Sequence, residues 1–210
     1  MRIVVCAAKG RTGSRIAREL HARGHEVTAL VRTSSGSASG QGVTELLDDL
    51  SNADDCAAKI AGADAVVSAY APPPQATDEL VVVTQRLVEA VSKSGASRLL
   101  VVGGAGTLEV APGVTLLDSG HLPPEWRGIA ESHAKTLKML TESEIDWTYF
   151  APAAYFDPGE RTGRFRLGTD TLISDESGQS RISMEDYAIA MADEIELPQH
   201  RGGGRMTIGY

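Results

Sequence analysis

Several absences narrow this sequence before any motif is read. Cys6 and Cys56 are the only two cysteines in 210 residues. That excludes a disulfide scaffold, and both read as reduced thiols in a cytoplasmic setting. No apolar run approaches the roughly 20 residues that cross a bilayer, and a strand read from Arg2 onward leaves no room for a leader peptide. No membrane partner is expected. Positive charge is in deficit, with a formal net charge of −8 and no clustered basic stripe, which argues against a nucleic-acid partner. No Cys/His spacing resembles a metal site, and neither a G-x-S-x-G elbow nor a Walker loop occurs. No tyrosine has a lysine four residues later: Pro74, Ala153, Gly159 and Met191 follow Tyr70, Tyr149, Tyr155 and Tyr187, and Tyr210 comes last. A tyrosine proton donor tuned by a lysine one helical turn on is therefore missing.

What is present is an ordinary globular composition, 42% hydrophobic and 23% charged, in a length suited to one core. "RIVVCA" (2–7) reads as a strand covered on both faces. A helix follows over 12–24, with Ile16, Ala17 and Leu20 on one face and Gly24 as its stop. Strands are expected at 25–32 and 43–50, separated by the low-complexity loop 33–42. A helix at 52–64, a strand at 65–70 and a helix at about 76–94 come next, the last with Leu80, Val83, Leu87 and Val91 as a buried stripe. A fifth strand, 97–104, leads into a Gly/Pro-rich loop carrying His121 and Trp126. A helix near 128–142 and a strand at 145–152 follow. Residues 160–182 suggest a small antiparallel excursion. Ser183 should cap a helix to 197, with Glu185 and Asp186 favourably placed in its first turn. "RMTIGY" reads as an edge strand. Strands alternating with amphipathic helices imply a mainly parallel, doubly wound α/β sheet in one domain spanning 1–210, with small excursions around 116–128 and 155–182.

The informative stretch is "VVCAAKGRTGSRIAREL" (4–20), a glycine loop between the first strand and the first helix. There the helix N-terminus offers unpaired N–H groups and partial positive charge to a pyrophosphate. Gly10 permits close approach of the phosphates and Gly13 close packing of helix on sheet. Ala7 stands where a first glycine is usual. A negative φ makes it tolerable, and a positive one costs about 1–2 kcal/mol. Lys9, Arg11 and the Thr12 hydroxyl could add phosphate contacts. The second strand ends in Arg32, followed by Thr33, where an acidic residue would favour the free 2′-hydroxyl of NAD. A guanidinium suits a 2′-phosphate instead, so NADP(H) is favoured over NAD(H).

Four blocks, "KGRTGSRIARELHARGHEVTALVR", "RLLVVGGAGTLEVAPGVTLLD", "SHAKTLKMLTESEIDWTYFAPAAYFDPGERTGRFRLG" and "SRISMEDYAIAMADEIE", resemble the atypical short-chain dehydrogenase/reductase-like proteins known as NAD(P)H–flavin reductases. The biliverdin-IXβ/flavin reductases are more distantly similar. The family loop usually reads G-A-T-G-x-T-G, so Ala7 and Lys9 depart from it. The resemblance implies a Rossmann-type NADPH site along the C-terminal strand ends. Gly10, Arg11, Thr12 and Gly13 would take the pyrophosphate and Arg32 the 2′-phosphate. Asp49 and Leu50 would flank the adenine. Ser68, Ala69 and Tyr70, with Gly103, would line the nicotinamide side, and Pro152 and Ala153 would close it.

Around the expected catalytic position the chain reads "ESHAK". Glu131 takes the usual tyrosine's place and Lys135 the lysine's, and "GGAG" (103–106) stands where a serine is common. Ordinary carbonyl reduction is thereby disfavoured. Hydride transfer to a flavin (FMN or FAD) or similar planar acceptor needs only two rings held face to face. Tyr155 aligns loosely with a substrate-side histidine of the biliverdin/flavin reductases and is a candidate donor or stacking surface, against the reading of a packed tyrosine. His133 is a second candidate, against a structural role. His121 and Trp126 could belong to a lid, or simply to a surface loop. The competing function is a non-catalytic NADP(H)-binding redox sensor. An epimerase- or dehydratase-like enzyme ranks lower, because 210 residues leave little room for a sugar-binding subdomain.

Overall fold

The computed structural model describes residues 1–33 and 42–210. Most of the loop expected at 33–42 therefore lies outside the described residues. Strand β1 (Arg2–Cys6) leads to α1 (Arg11–Ala22), β2 (Glu26–Val31), β3 (Thr44–Leu47), α2 (Ala53–Ile60), β4 (Ala65–Ser68), α3 (Glu79–Ser94) and β5 (Leu99–Val102). After a 3₁₀ turn at Ala105–Thr107 come β6 (Glu109–Ala111), β7 (Val114–Thr115), α4 (Pro124–Thr141) and β8 (Trp147–Ala151). The chain continues through β9 (Tyr155–Asp157), β10 (Arg166–Gly168), β11 (Arg181–Ser183), α5 (Met184–Glu196) and β12 (Gly204–Gly209).

Eight strands form one sheet in the order β10-β12-β8-β5-β4-β1-β2-β3. Every neighbour pair is parallel except β10 with β12. Alternation along β1 explains the layers. Ile3 and Val5 join α1 and α5 through Ile16, Leu20, Tyr187 and Met191, whereas Val4 and Cys6 face α2 and α3 through Cys56, Ile60, Val83 and Leu87. Each such fully buried aliphatic side chain contributes about 1.5–3 kcal/mol relative to exposure. The buried Tyr187 hydroxyl donates to the Phe150 carbonyl at 2.7 Å, so its polar end is satisfied inside this core.

Three expectations need correction. The last strand is not an edge: β12 lies between β8 and β10, and β10 takes the edge. The excursion expected around 155–182 is only partly antiparallel. Its β9 and β11 pair in parallel as a separate two-stranded sheet, while β10 joins the main sheet antiparallel. Finally, Trp126 belongs to α4, which begins at Pro124. Proline's fixed φ suits the first helical turn, where its missing N–H costs nothing. The Gly/Pro-rich loop before it contains a short antiparallel hairpin, β6–β7. The helix start at Ser183 follows expectation, its hydroxyl accepting from the Asp186 amide at 3.0 Å.

The chain builds β1–β2–β3 in one direction and then returns to β4 on the other side of β1. The C-terminal end of β1 is therefore the point of reversal, where helices diverge and leave a crevice.

Candidate cofactor and active site

The glycine loop occupies that reversal. Gly10 is the N-cap of α1, with no side-chain cap and no acidic residue in the first turn. By contrast α2 is closed by Asn52, whose side chain accepts from the Asp54 and Asp55 amides. The first turn of α1 thus keeps free N–H groups and its dipole for an outside anion. A Cβ on Gly13 would lie 2.5 Å from the Ala7 carbonyl oxygen and 3.1 Å from the Ala8 Cα. Only glycine lets the helix sit this close to the strand end. Ala7 itself has φ +56°, the strained alternative at about 1–2 kcal/mol. Its carbonyl accepts from the Gly10 amide at 2.9 Å, which closes the turn.

The basic residues of the loop behave differently from one another. Lys9 turns aside, donating to the Thr33 carbonyl at 2.7 Å and pairing with Glu45 at 3.1 Å. It fastens the end of β2 to β3 rather than reaching for a phosphate, which corrects the expectation. Arg11 pairs with Asp157 at 2.8 Å in an exposed bridge across the mouth of the crevice. An arriving anion can compete for it there. The Thr12 hydroxyl has no partner among the described residues.

Arg32 is exposed just beyond β2 and forms no ion pair among the described residues. It lies near enough to Tyr70 for its charge to act on the phenol. A cavity of about 490 Å³ opens beside Tyr70, lined also by Asp49, Glu79, Val82 and Arg86 among others. Asp49 is exposed, but Leu50 has its side chain in the core and φ +61°. The Leu50 amide donates to Asp48 at 2.7 Å and its carbonyl accepts from Arg86 at 3.3 Å. Leu50 therefore shapes this turn instead of flanking a ligand with its side chain. Tyr70 also departs from its expected place. Its hydroxyl donates to Glu79 at 2.9 Å, and burial, then Glu79, pushes it up to about 12. It groups with Asp49 around this cavity rather than with Ser68 and Ala69. Arg86 escaped the sequence reading, because a helical arginine carries no local sign of the loop it will meet.

On the other side, Ser68, Ala69, Gly103, Pro152 and Ala153 are all buried at the C-terminal strand ends, a small-residue floor. Glu131 pairs with Arg127 at 2.9 Å and Lys135 with Asp78 at 2.8 Å, both at the surface. No tyrosine–lysine relay is assembled there. Tyr155 is 69% exposed on β9, which overturns the packed reading. His121 is exposed, and its amide donates to Ser119. His133 reaches Tyr149: the phenol oxygen lies 3.2 Å from His133 Nδ1 and accepts from the Gly104 amide at 3.0 Å. Burial holds the imidazole down to about 4 and pushes the phenol up to about 12. Tyr149 was missed as a site residue. The available signal was the Gly103–Gly104 pair, since two glycines at a strand end leave room for bulky neighbours. Among the described residues no group of three or more His, Cys, Asp or Glu side chains could hold a metal ion, and no helix is long and apolar enough to cross a membrane.

An uncapped helix at the reversal of a doubly wound parallel sheet, with a glycine seated against the first strand, defines a Rossmann-type dinucleotide-binding protein. The chain belongs to the NAD(P)H-binding family, whose model matches residues 7–198. It is 40% identical over 205 residues to the uncharacterized protein YwnB of Bacillus subtilis (strain 168), covering 96% of this chain and 95% of that one. Its fold matches a Burkholderia pseudomallei protein proposed to be exported, with TM-score 0.92 and 45% identity over the whole of both chains. A proposed epimerase from Bacteroides thetaiotaomicron matches at TM-score 0.90 and 41% identity, covering 100% of this chain and 96% of that one. A proposed NADH-flavin reductase from Streptococcus pneumoniae matches at 0.89 and 33%, covering 100% and 99%.

Proposed function

We propose that the protein is an NADPH-dependent oxidoreductase that reduces a flavin or a similar planar acceptor without a tyrosine–lysine relay. The observation that carries the cofactor reading is the cradle at α1, where only Gly13 allows the free amides of the first turn to sit against the end of β1. When bound, the cofactor supplies a hydrogen and two electrons together. Gly10 and the α1 amides hold its pyrophosphate, and Arg11 exchanges Asp157 for a phosphate oxygen. Arg32 takes the 2′-phosphate, which favours NADPH over NADH. Asp49 and the cavity beside Arg86 receive the adenine. Ser68, Ala69, Gly103, Pro152 and Ala153 form the floor under the reactive ring, leaving its upper face to an acceptor beside Tyr155.

The acceptor class follows from Glu131 and Lys135, which are engaged at the surface and so do not form the acid relay that protonates an alkoxide. A flavin ring takes the hydrogen without one. The Streptococcus pneumoniae relative, proposed to reduce flavin with NADH, supports this class. The free buried thiols of Cys6 and Cys56 support a reducing, cytoplasmic setting. The test is an anaerobic titration with NADPH, followed by FMN, with both chromophores monitored. Saturable binding and flavin reduction far above the uncatalysed rate are expected. Tight binding without turnover, to FMN or to a panel of quinones, would replace the reductase by an NADP(H) sensor.

A further inference from the structure

We infer that His133 is a neutral hydrogen-bond donor to a ring carbonyl oxygen of the acceptor, and that Tyr149 is the positioning residue that fixes its Nε2–H form. The inference rests on the reading of the β4–β5 strand ends as the floor of the nicotinamide site. It adds to that reading a substrate class, planar rings bearing a conjugated carbonyl, such as isoalloxazines and quinones.

Two glycines make the arrangement possible. A Cβ on Gly103 would lie 2.5 Å from Cε1 of the Tyr149 ring, and one on Gly104 would lie 2.5 Å from Cδ2 of His133. The end of β5 has thus given up side chains so that a phenol and an imidazole can pack edge to face, with centroids 6.3 Å apart. The order of hydrogen bonds sets the protons. The Gly104 amide can only donate, so the Tyr149 oxygen accepts from it at 3.0 Å. The Thr107 hydroxyl, which donates to the Gly104 carbonyl at 2.9 Å, also lies against the phenol, and we assign the phenol hydrogen to His133 Nδ1 at 3.2 Å. With that assignment Nδ1 accepts, and the ring hydrogen resides on Nε2. Burial keeps the imidazole uncharged and the phenol protonated near neutrality, so both assignments hold under working conditions.

Nε2 is the free end of this chain of bonds. Among the described residues it has no partner, yet the buried side-chain nitrogens without partners are those of Arg98 and Arg205. Nε2 is therefore not completely sealed, on a side chain that is part-buried as a whole. A Cβ on Gly104 would come within 3.1 Å of it, which puts it at the C-terminal end of β5, beside the floor residue Gly103. The charged neighbours on its own helix, Glu131 and Lys135, are paired elsewhere.

A fixed neutral donor at this place stabilises charge as it develops. In the transfer, a C–H bond of the dihydronicotinamide breaks, and its hydrogen and electron pair form a new bond on the acceptor ring. The nicotinamide becomes the oxidised pyridinium. The acceptor becomes an anion with charge on its carbonyl oxygen, which afterwards takes one proton from water. The Nε2–H group keeps its hydrogen throughout and binds that oxygen more strongly as the electrons arrive.

The test is long-range ¹H–¹⁵N correlation on the ¹⁵N-histidine protein at pH 7, with His133 assigned by its loss in His133→Gln. The expected spectrum is a single Nε2–H tautomer whose Nε2 resonance moves when oxidised FMN is added to the NADP⁺-loaded protein. In Tyr149→Phe the single tautomer should become a mixture. In turnover, His133→Phe should lower kcat about 10–100-fold with the NADPH Kd within twofold of wild type, and His133→Gln, which keeps a donor, should recover part of that loss. An Nδ1–H tautomer, an imidazolium, or an Nε2 resonance indifferent to FMN overturns the inference on wild-type protein, whatever the variants do. If NADPH binds and FMN is reduced but His133→Phe turns over normally, the inference fails and the reductase reading survives. If wild type binds no NADPH, both fall together.

Discussion

The two ends of the main sheet obey opposite rules. At the C-terminal end, among the described residues, stand both non-glycine residues with positive φ, Ala7 and Leu50, together with an uncapped helix and unfilled hydrogen-bonding groups. The N-terminal end is sealed. There Arg98 and Glu194, 3% and 4% exposed, pair at 3.0 Å. Glu194 also accepts from the Gln199 and His200 amides at 3.1 and 3.0 Å, and its second oxygen meets the His200 ring at 2.9 Å. Burial opposes the charge on Glu194, but His200, these amides and Arg98 outweigh it and hold the carboxyl below its usual range. Asp146 and Arg201 close a further corner at 2.6 Å. Backbone strain and an uncapped helix are tolerated where a ligand will answer them, and buried charges are paired where none will, although the Arg98 Nε itself has no partner.

If that division is real, lesions at the two ends should separate stability from binding. The largest effect is expected from Glu194→Ala, which strands a buried guanidinium and should cost about 3–5 kcal/mol. Urea denaturation should show this, while NADPH affinity of the folded protein stays within twofold. Gly13→Val should do the reverse, lowering NADPH and NADH affinity more than 100-fold by lifting α1 off the strand, with circular dichroism still showing a folded protein. Retained affinity would remove the glycine loop from the site.

Acid should sharpen the contrast. His133 is held down to about 4 by burial, below about 6.5 for a free histidine, so the unfolded chain binds the extra proton first. Stability from this group is full above about pH 6.5 and is lost as pH falls toward 4, by at most about 3 kcal/mol. Denaturation midpoints across that window should drop in wild type and drop less in His133→Phe. Arg32→Ala is expected to weaken NADPH about 10-fold or more and NADH little. Equal losses would exclude it from the 2′-phosphate. The smallest effect is Ala7→Gly, which should raise stability by up to about 1 kcal/mol by relieving the positive φ.

Much of the scaffold is legible locally. The buried stripe of α1, the stripe of α3 and the Ser183 cap need only their own residues, and strand–helix alternation gives the parallel sheet. Gly13 was readable because its reason, close helix–strand packing, is adjacent in sequence. Features that depend on distant partners were not. Lys9 looks like a phosphate ligand until Glu45, 36 residues on, claims it. Arg11 meets Asp157 across 146 residues. Tyr149 looks like one more strand tyrosine until α4 brings His133 over Gly104. Leu50 reads as a strand end because nothing in its neighbours announces a left-handed turn fixed by Asp48 and Arg86.

The position of β12 has a consequence for the order of events in folding. Among the described strands β10 pairs with β12 alone, antiparallel from Arg166↔Gly209 to Gly168↔Thr207, and β12 in turn rests on β8. β10 therefore cannot join the sheet until residues 204–209 have docked, although it precedes them in the chain. The Tyr210 hydroxyl, just beyond β12, donates to Asp186 at 2.8 Å, and Asp186 also accepts from the Thr162 and Gly163 amides, each at 2.8 Å. The segment leading from Tyr155 into β10 is thus fastened late. The glycine cradle at β1 and α1 forms from neighbours in sequence, and the segment from Tyr155 to β10 is fastened afterwards, as the slow, long-range step.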